Sequence, residues 1–212
     1  MSTSMASRAI PIEASNILLA KKAVHSKARG SNMEAYSAYP AGLSGTSERT
    51  GDDFDFTSRD DLLFHTIFYP ENARRFDDCL GMWREVNRVE THCKAQFAFE
   101  LVLPLSPDLP LHHNIAMLEE FATWYRVRHG VPVQCDIHSG VRDADAGHPP
   151  GLRDNPHAHL LMPTRTLGPD GFGAKTRHLN PPFFRGLVME EEKLRHAWAD
   201  SQRRYCERHD IL

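Results

Sequence analysis

The chain has 212 residues, 41% of them hydrophobic, and a formal net charge of −3. That length and apolar share suffice for one sizeable core with a short appended tail and exclude two large domains. The apolar runs are strand-length and interrupted by Pro, Lys or His, and residues 1–14 lack the continuous apolar stretch of a signal peptide, so a cytoplasmic protein without membrane insertion is expected.

The net charge alone does not mark a nucleic-acid binder, but its distribution allows a basic face on a neutral or acidic body. Lys21, Lys22, Lys27 and Arg29 cluster early, Arg165, Lys175, Arg177 and Arg185 cluster late, and acids crowd 52–61. Cys79, Cys93, Cys135 and Cys206 are far apart, without the close pairs of a zinc ribbon or a redox motif, and are expected as reduced thiols in or near the core.

In chain order, residues 1–15 show no period and read as a loose arm, leaving 16–212 as one domain. Ile17 to Val24 is a short apolar run that predicts a first strand. Ser31 to Tyr39 predicts a short helix capped by Ser31 or Asn32 and ended by Pro40, and 42–59 reads as a long polar loop. Pro70 opens a predicted helix with apolar positions at Phe76, Leu80, Trp83, Val86 and Val89, running to about Thr91. The period then changes, and Phe97 to Leu103 reads as a strand before Pro104, with Glu100 its only charge. Ile115 to His129 predicts a second long helix ended by Gly130, with His112-His113 near its start, and Val131 to Ile137 a strand leading into His138. A Gly-, Asp- and Pro-rich loop carrying His148, which reads as solvated, precedes the strand His157 to Met162. A glycine-rich turn, 168–173, and a basic loop follow, and 190–207 predicts a charged helix packing through Leu194, Ala197, Trp198 and Tyr205. These elements make an α+β fold with a mostly antiparallel central sheet and helices packed largely on one side.

Residues i and i+2 of a strand point to one face, so His157 and His159 present two imidazoles side by side. If 131–137 pairs antiparallel with that strand, His138 approaches them, and three neutral imidazoles on an exposed sheet face make a metal site with open coordination positions. Among 13 histidines a single His-x-His pair is equally consistent with a structural role, and His138 tips the reading towards metal. Asp136, two before His138, is a candidate partner for one of the histidines.

Ile137-His138, the Gly/Asp-rich loop and Asn155-Pro156-His157-Ala158-His159-Leu160 resemble the histidine signature of MobA/MobL-type plasmid mobilisation relaxases, members of the HUH endonucleases. Thr164-Arg165, the Gly171 to Arg177 segment, the helix through Trp83 and Glu90, the strand Glu100 to Pro104 and Arg195-His196-Ala197-Trp198 are similar to family features in the family's order, over about Ile17 to Arg208. The resemblance implies metal-dependent nicking of single-stranded DNA at a transfer origin, with a tyrosine nucleophile and a 5′-phosphotyrosine intermediate. It implies Mg²⁺ or Mn²⁺ as the ion, Zn²⁺ being an alternative, and other mobilisation proteins as further partners. After Lys27-Ala28-Arg29-Gly30, the ending Tyr39-Pro40-Ala41-Gly42 makes Tyr39 the better match to the nucleophile, with Tyr36 in reserve.

Glu100 matches a family acid that can orient a histidine or take the tyrosine proton. Pro40 stands where the family often has Arg, and Ala98 where it often has a second acid. For DNA contact the resemblance points to Lys22, Lys27, Arg29, Arg165, Lys175 and Arg177, with Phe172 between glycines as a base-stacking residue. Two other functions stay open: a DNA-binding mobilisation or replication accessory protein that has lost cleavage, and an unrelated hydrolase in which His-x-His holds zinc.

Overall fold

The computed structural model describes residues 21–139, 156–179 and 183–211. The N-terminal arm, the first residues of the expected opening strand and most of the loop that carries His148 lie outside them.

The elements are β1 (Lys21–Ser26), α1 (Met33–Ala41), β2 (Ser44–Thr46), β3 (Asp53–Asp55), β4 (Leu62–Phe68), α2 (Cys79–Val89), β5 (Gln96–Pro104), α3 (Leu111–Tyr125), β6 (Val133–His138), β7 (His157–Pro163), β8 (Arg165–Gly168), β9 (Gly171–Lys175) and α4 (Phe183–Arg208). Five strands form one sheet in the order β1-β5-β7-β6-β4, every neighbouring pair antiparallel. The fold is thus α+β around an antiparallel sheet, as expected.

Strand alternation gives the sheet two different faces. Phe99, Leu101 and Leu103 of β5, Cys135 and Ile137 of β6, and Ala158, Leu160 and Met162 of β7 point to one side. There they bury against Met117, Leu118 and Phe121 of α3 and Leu194, Trp198 and Tyr205 of α4, and the Trp198 indole donates to the Pro104 carbonyl (2.9 Å). The expected one-sided packing describes these two long helices. The shorter α1 and α2 lie over part of the opposite face, where Met33, Ala41, Cys79, Met82, Trp83 and Val86 enclose Ala98 and Leu161. Farther along the same face the strands turn polar, with Glu100 on β5, His157 and His159 on β7, and Asp136 and His138 on β6.

Several local expectations are corrected. Pro40 lies inside α1 instead of ending it. The helix is capped by the Asn32 side chain, and Gly42 stops it in the left-handed region (φ 64°). Leu43 N–H bonds the Ala38 carbonyl (3.1 Å) and Gly42 N–H the Tyr39 carbonyl (3.4 Å) in the Schellman pattern, so a proline in the last turn forfeits only one internal bond. The 42–59 segment is a polar connection that contains the β2–β3 hairpin. α2 begins at Cys79, not Pro70, because Asn72 takes a left-handed conformation (φ 57°) and Asp78 supplies the cap. β4, which periodicity did not single out, is an edge strand paired with β6. α3 ends at Tyr125, and a 3-10 turn, Val127–His129, runs on to Gly130 in the left-handed region (φ 79°). Of the four free cysteines Cys93 is exposed; the other three are buried as expected.

Candidate metal centre

β6 and β7 pair so that His138 stands directly opposite His157, with His159 one step along the same face opposite Asp136. The three imidazole centroids are 5.1–5.4 Å apart. One nitrogen from each ring lies within 4.8 Å of the others, and this is the one such group of ligating side chains among the described residues. His157 and His159 are partly exposed, whereas His138 is buried, so the expected exposed face is covered at one corner. Its cover is α1: His138 Nε2 donates to the Pro40 carbonyl (2.8 Å), and Nδ1 accepts from Arg59 (3.3 Å). Burial lowers the pKa of His138 and favours the neutral imidazole that a metal requires. Three imidazoles on adjacent strands fit a divalent ion once His138 exchanges its Arg59 contact at Nδ1, or its Pro40 contact at Nε2, for the metal, and they leave the rest of the coordination sphere to substrate.

Glu100 sits behind this cluster. Its Oε1 accepts from His159 Nδ1 (2.7 Å), which fixes the tautomer and leaves Nε2 as the donor towards the cluster. Its Oε2 accepts from the Tyr36 hydroxyl (2.6 Å), and His25 Nε2 lies 3.5 Å away, its ring against that of Tyr36 (3.9 Å between centroids). Burial works to raise the Glu100 pKa, but hydrogen bonding to His159, His25 and Tyr36 outweighs it and holds the carboxyl well below the usual range. Tyr36 moves the other way: burial, its bond to Glu100 and that residue's charge push its phenol far above the ordinary value.

Tyr39, one turn on, is 53% exposed. Its ring meets Phe56 edge-on (5.2 Å) and lies under the Arg59 guanidinium, whose Cζ is 4.4 Å from the ring centroid. Arg59 is therefore in contact with both the exposed tyrosine and His138. Sequence reasoning missed it because it sits in a polar connection between acids, where a single arginine carries no period.

Two buried polar networks hold these pieces. Trp83 Nε1 donates to Gln134 Oε1 (2.6 Å), and the Gln134 amide donates to the Ser37 carbonyl of α1 (3.0 Å) and to Asp136 (2.8 Å). Asp136 takes its other bond from His65 of β4 (2.5 Å), so its histidine partner lies outside the cluster. Glu34 of α1, fully buried, accepts from Glu48 N (2.8 Å), Asn87 (2.9 Å), Ser47 (3.3 Å) and Arg84 (3.4 Å), tying the helix to the β2–β3 hairpin and α2.

The basic residues divide into two groups. Arg165 and Lys175 turn inwards onto buried Glu90 (2.7 and 2.9 Å) and bond the Gly173 and Gln96 carbonyls. Phe172 stacks on Phe76 (6.1 Å) and packs against the α2 core. Arg29 and Arg177 are exposed, Lys27 is half-buried at the start of a 3-10 turn, and Lys22 stands in β1 opposite Leu101. No described helix is long and apolar enough to cross a membrane.

The family model of the MobA/MobL family matches residues 32–211. A mobilization protein, MobL, of Acidithiobacillus ferridurans is 26% identical over 204 residues, 87% of this chain and 53% of the relative. A conjugal transfer protein, TraA, of Agrobacterium fabrum is 28% identical over 139 residues, 60% of this chain and 12% of the relative. The chain thus spans about half or much less of these relatives' lengths. A chain solved for the molecular basis of vancomycin resistance transfer in Staphylococcus aureus superposes with a TM-score of 0.68 at 24% identity, covering 90% of this chain and 94% of that one, and so shares the fold. With a family model spanning nearly all of the described sequence and the histidine cluster in place on its sheet, the chain belongs to the MobA/MobL family.

Proposed function

We propose that the chain is the nicking domain of a mobilisation relaxase, which cuts single-stranded DNA at a plasmid transfer origin by tyrosine transesterification. The observation that carries this reading is the seating of the tyrosine helix on the histidine cluster: the carbonyl of Pro40, the residue after Tyr39, accepts from His138 Nε2 at 2.8 Å. Family membership and the names of the relatives support the setting.

His138, His157 and His159 would hold a divalent ion, Mg²⁺ or Mn²⁺ or alternatively Zn²⁺, which when bound offsets charge on the scissile phosphate and aligns it for in-line attack. Tyr39 is the nucleophile. Its hydroxyl oxygen bonds phosphorus, the bond from phosphorus to the 3′-oxygen breaks, the phenolic proton leaves, and the 3′-oxygen takes up a proton. The products are a 5′-phosphotyrosine and a free 3′-hydroxyl, and the conserved number of ester bonds keeps the step reversible. Tyr36 is assigned another part. Its hydroxyl is committed to Glu100, and burial together with the carboxylate makes its phenol harder to ionise, so it anchors Glu100 while Glu100 orients His159. Lys22, Lys27, Arg29 and Arg177 are the proposed phosphate contacts. Arg165 and Lys175 are assigned to holding the β8–β9 hairpin, because both are bonded inwards to Glu90 and to backbone carbonyls. Base stacking by Phe172 would first require it to leave Phe76. DNA and other mobilisation proteins are the proposed partners.

The test is incubation of the protein with Mn²⁺ or Mg²⁺ and a 3′-labelled single-stranded transfer-origin oligonucleotide, resolved on a denaturing gel. A label shifted to protein mass, lost with chelator and in Tyr39→Phe but retained in Tyr36→Phe, is the expected result. DNA binding without an adduct under any metal would favour the non-cleaving accessory protein instead.

A further inference from the structure

The geometry points to Arg59 as a phosphate-binding residue of the nicking site, the group that receives a non-bridging oxygen of the scissile phosphodiester between Tyr39 and the histidine cluster; this rests on the relaxase reading above. Arg59 Nε and NH2 form a two-pronged pair with Asp61 (2.8 and 2.6 Å), and NH2 also reaches His138 Nδ1 (3.3 Å). The guanidinium covers the Tyr39 ring at 4.4 Å. Its third nitrogen, NH1, is buried without a hydrogen-bond partner among the described residues.

That fork is informative through its position, in contact with both Tyr39 and His138. An arginine brings five N–H donors in a rigid fork, and burying two of them unmatched costs more than leaving them in water. Arg49 Nε and Arg126 Nε are buried in the same way, so what sets Arg59 apart is where its fork lies. Here the Asp61 carboxylate fixes the fork edge-on and offsets its charge, and the guanidinium lies in contact with both the proposed nucleophile and a proposed metal ligand. The planar fork suits a phosphate's non-bridging oxygens, and donors set in advance stabilise charge there as the phosphorus passes through its transition state. Arg59 changes no covalent bond. Tyr39 Oη gains the phosphorus, the 3′-oxygen loses it, one proton leaves and another is taken up, and Arg59 donates hydrogen bonds throughout.

The test compares wild type, Arg59→Gln and Arg59→Lys in the full chain by single-turnover adduct formation at saturating oligonucleotide, with Mn²⁺ binding measured separately by calorimetry. Arg59→Gln is expected to slow adduct formation by about 10²–10³, the usual cost of removing one such donor, while Mn²⁺ affinity does not fall, because the Arg59 contact at His138 Nδ1 competes with a metal there. Arg59→Lys, which keeps charge and loses the fork, is expected to recover part of the rate and decides the matter if the Gln variant fails to fold. An unaltered rate in either folded variant overturns the assignment. So does a loss of Mn²⁺ affinity equal to the loss of rate, since Arg59 would then serve only to support His138. A wild type that forms no adduct takes the relaxase reading down too, whereas an active wild type with unaffected Arg59 variants removes this assignment alone.

Discussion

Glu100 serves two groups with its two oxygens, and that division makes separate predictions at the scale of single residues. Oε1 sets the tautomer of His159 and Oε2 holds Tyr36. Glu100→Gln keeps the shape but removes the charge, and it is expected to weaken Mn²⁺ binding by about 10–100-fold in calorimetry, the range typical of losing a histidine's orienting carboxylate. Tyr36→Phe removes one hydrogen bond to a carboxylate that keeps its other partner, so metal affinity should fall by much less and the adduct should persist. An equal loss in the two variants would mean that Tyr36 acts on the metal site directly. The histidine cluster itself was legible in the sequence, because His157 and His159 are two apart and an antiparallel β6–β7 pairing leaves one place for His138. Arg59 and His65 were not. Each meets the site only through cross-strand and loop packing, and a lone charged residue in a polar or apolar run has no periodicity that would announce it.

Among the elements, α1 must be held firmly over the sheet for its tyrosine to stay near the histidines. Glu34, buried and accepting four contacts, fastens it to the β2–β3 hairpin and α2, while Gln134 fastens the Ser37 carbonyl to β6. Glu34→Ala takes the acceptor from the buried Ser47 hydroxyl and from the part-buried Asn87 amide and Glu48 N–H, and is expected to destabilise the chain by about 1–3 kcal/mol in denaturant unfolding. Adduct formation should fall even below the unfolding transition, because the tyrosine helix loosens. Trp83→Phe removes the donor to Gln134 in a fully buried setting and is expected to cost about 1–3 kcal/mol for the same reason, with metal affinity little changed. The strands and the two long helices could be read from their periods. The starts of α2 and the hairpins could not. Asn72 breaks an apparently continuous helical pattern by adopting a left-handed turn, and β4 is an edge strand whose burial comes from its neighbour and not from strict alternation. Pro40 misled because its effect depends on position, which only the Gly42 cap reveals.

At the scale of the whole molecule, the sheet separates stability from chemistry. One face is closed by α3 and α4; the other is apolar beneath α2 and part of α1 and polar beside that patch, so a metal held by the histidines would add its binding energy to a fold that already has a core. Mn²⁺ at about a hundredfold over its dissociation constant should therefore raise unfolding free energy by about 2.7 kcal/mol, seen as a higher melting midpoint, and the effect should vanish when His138, His157 and His159 are all replaced by alanine. The charge reading was less faithful than the fold reading. Arg165 and Lys175 looked like a surface patch in the sequence, yet the buried acid Glu90 draws both inwards, a pairing across 75 and 85 positions that no local pattern contains.

The most direct measurement is the identity of the residue that carries the DNA. The protein is trapped as an adduct with a transfer-origin oligonucleotide, digested with nuclease and protease, and the modified peptide is sequenced by mass spectrometry. A 5′-phosphonucleotide on Tyr39 is the expected result. The same mass on Tyr36, or an adduct on no tyrosine at all, would contradict it.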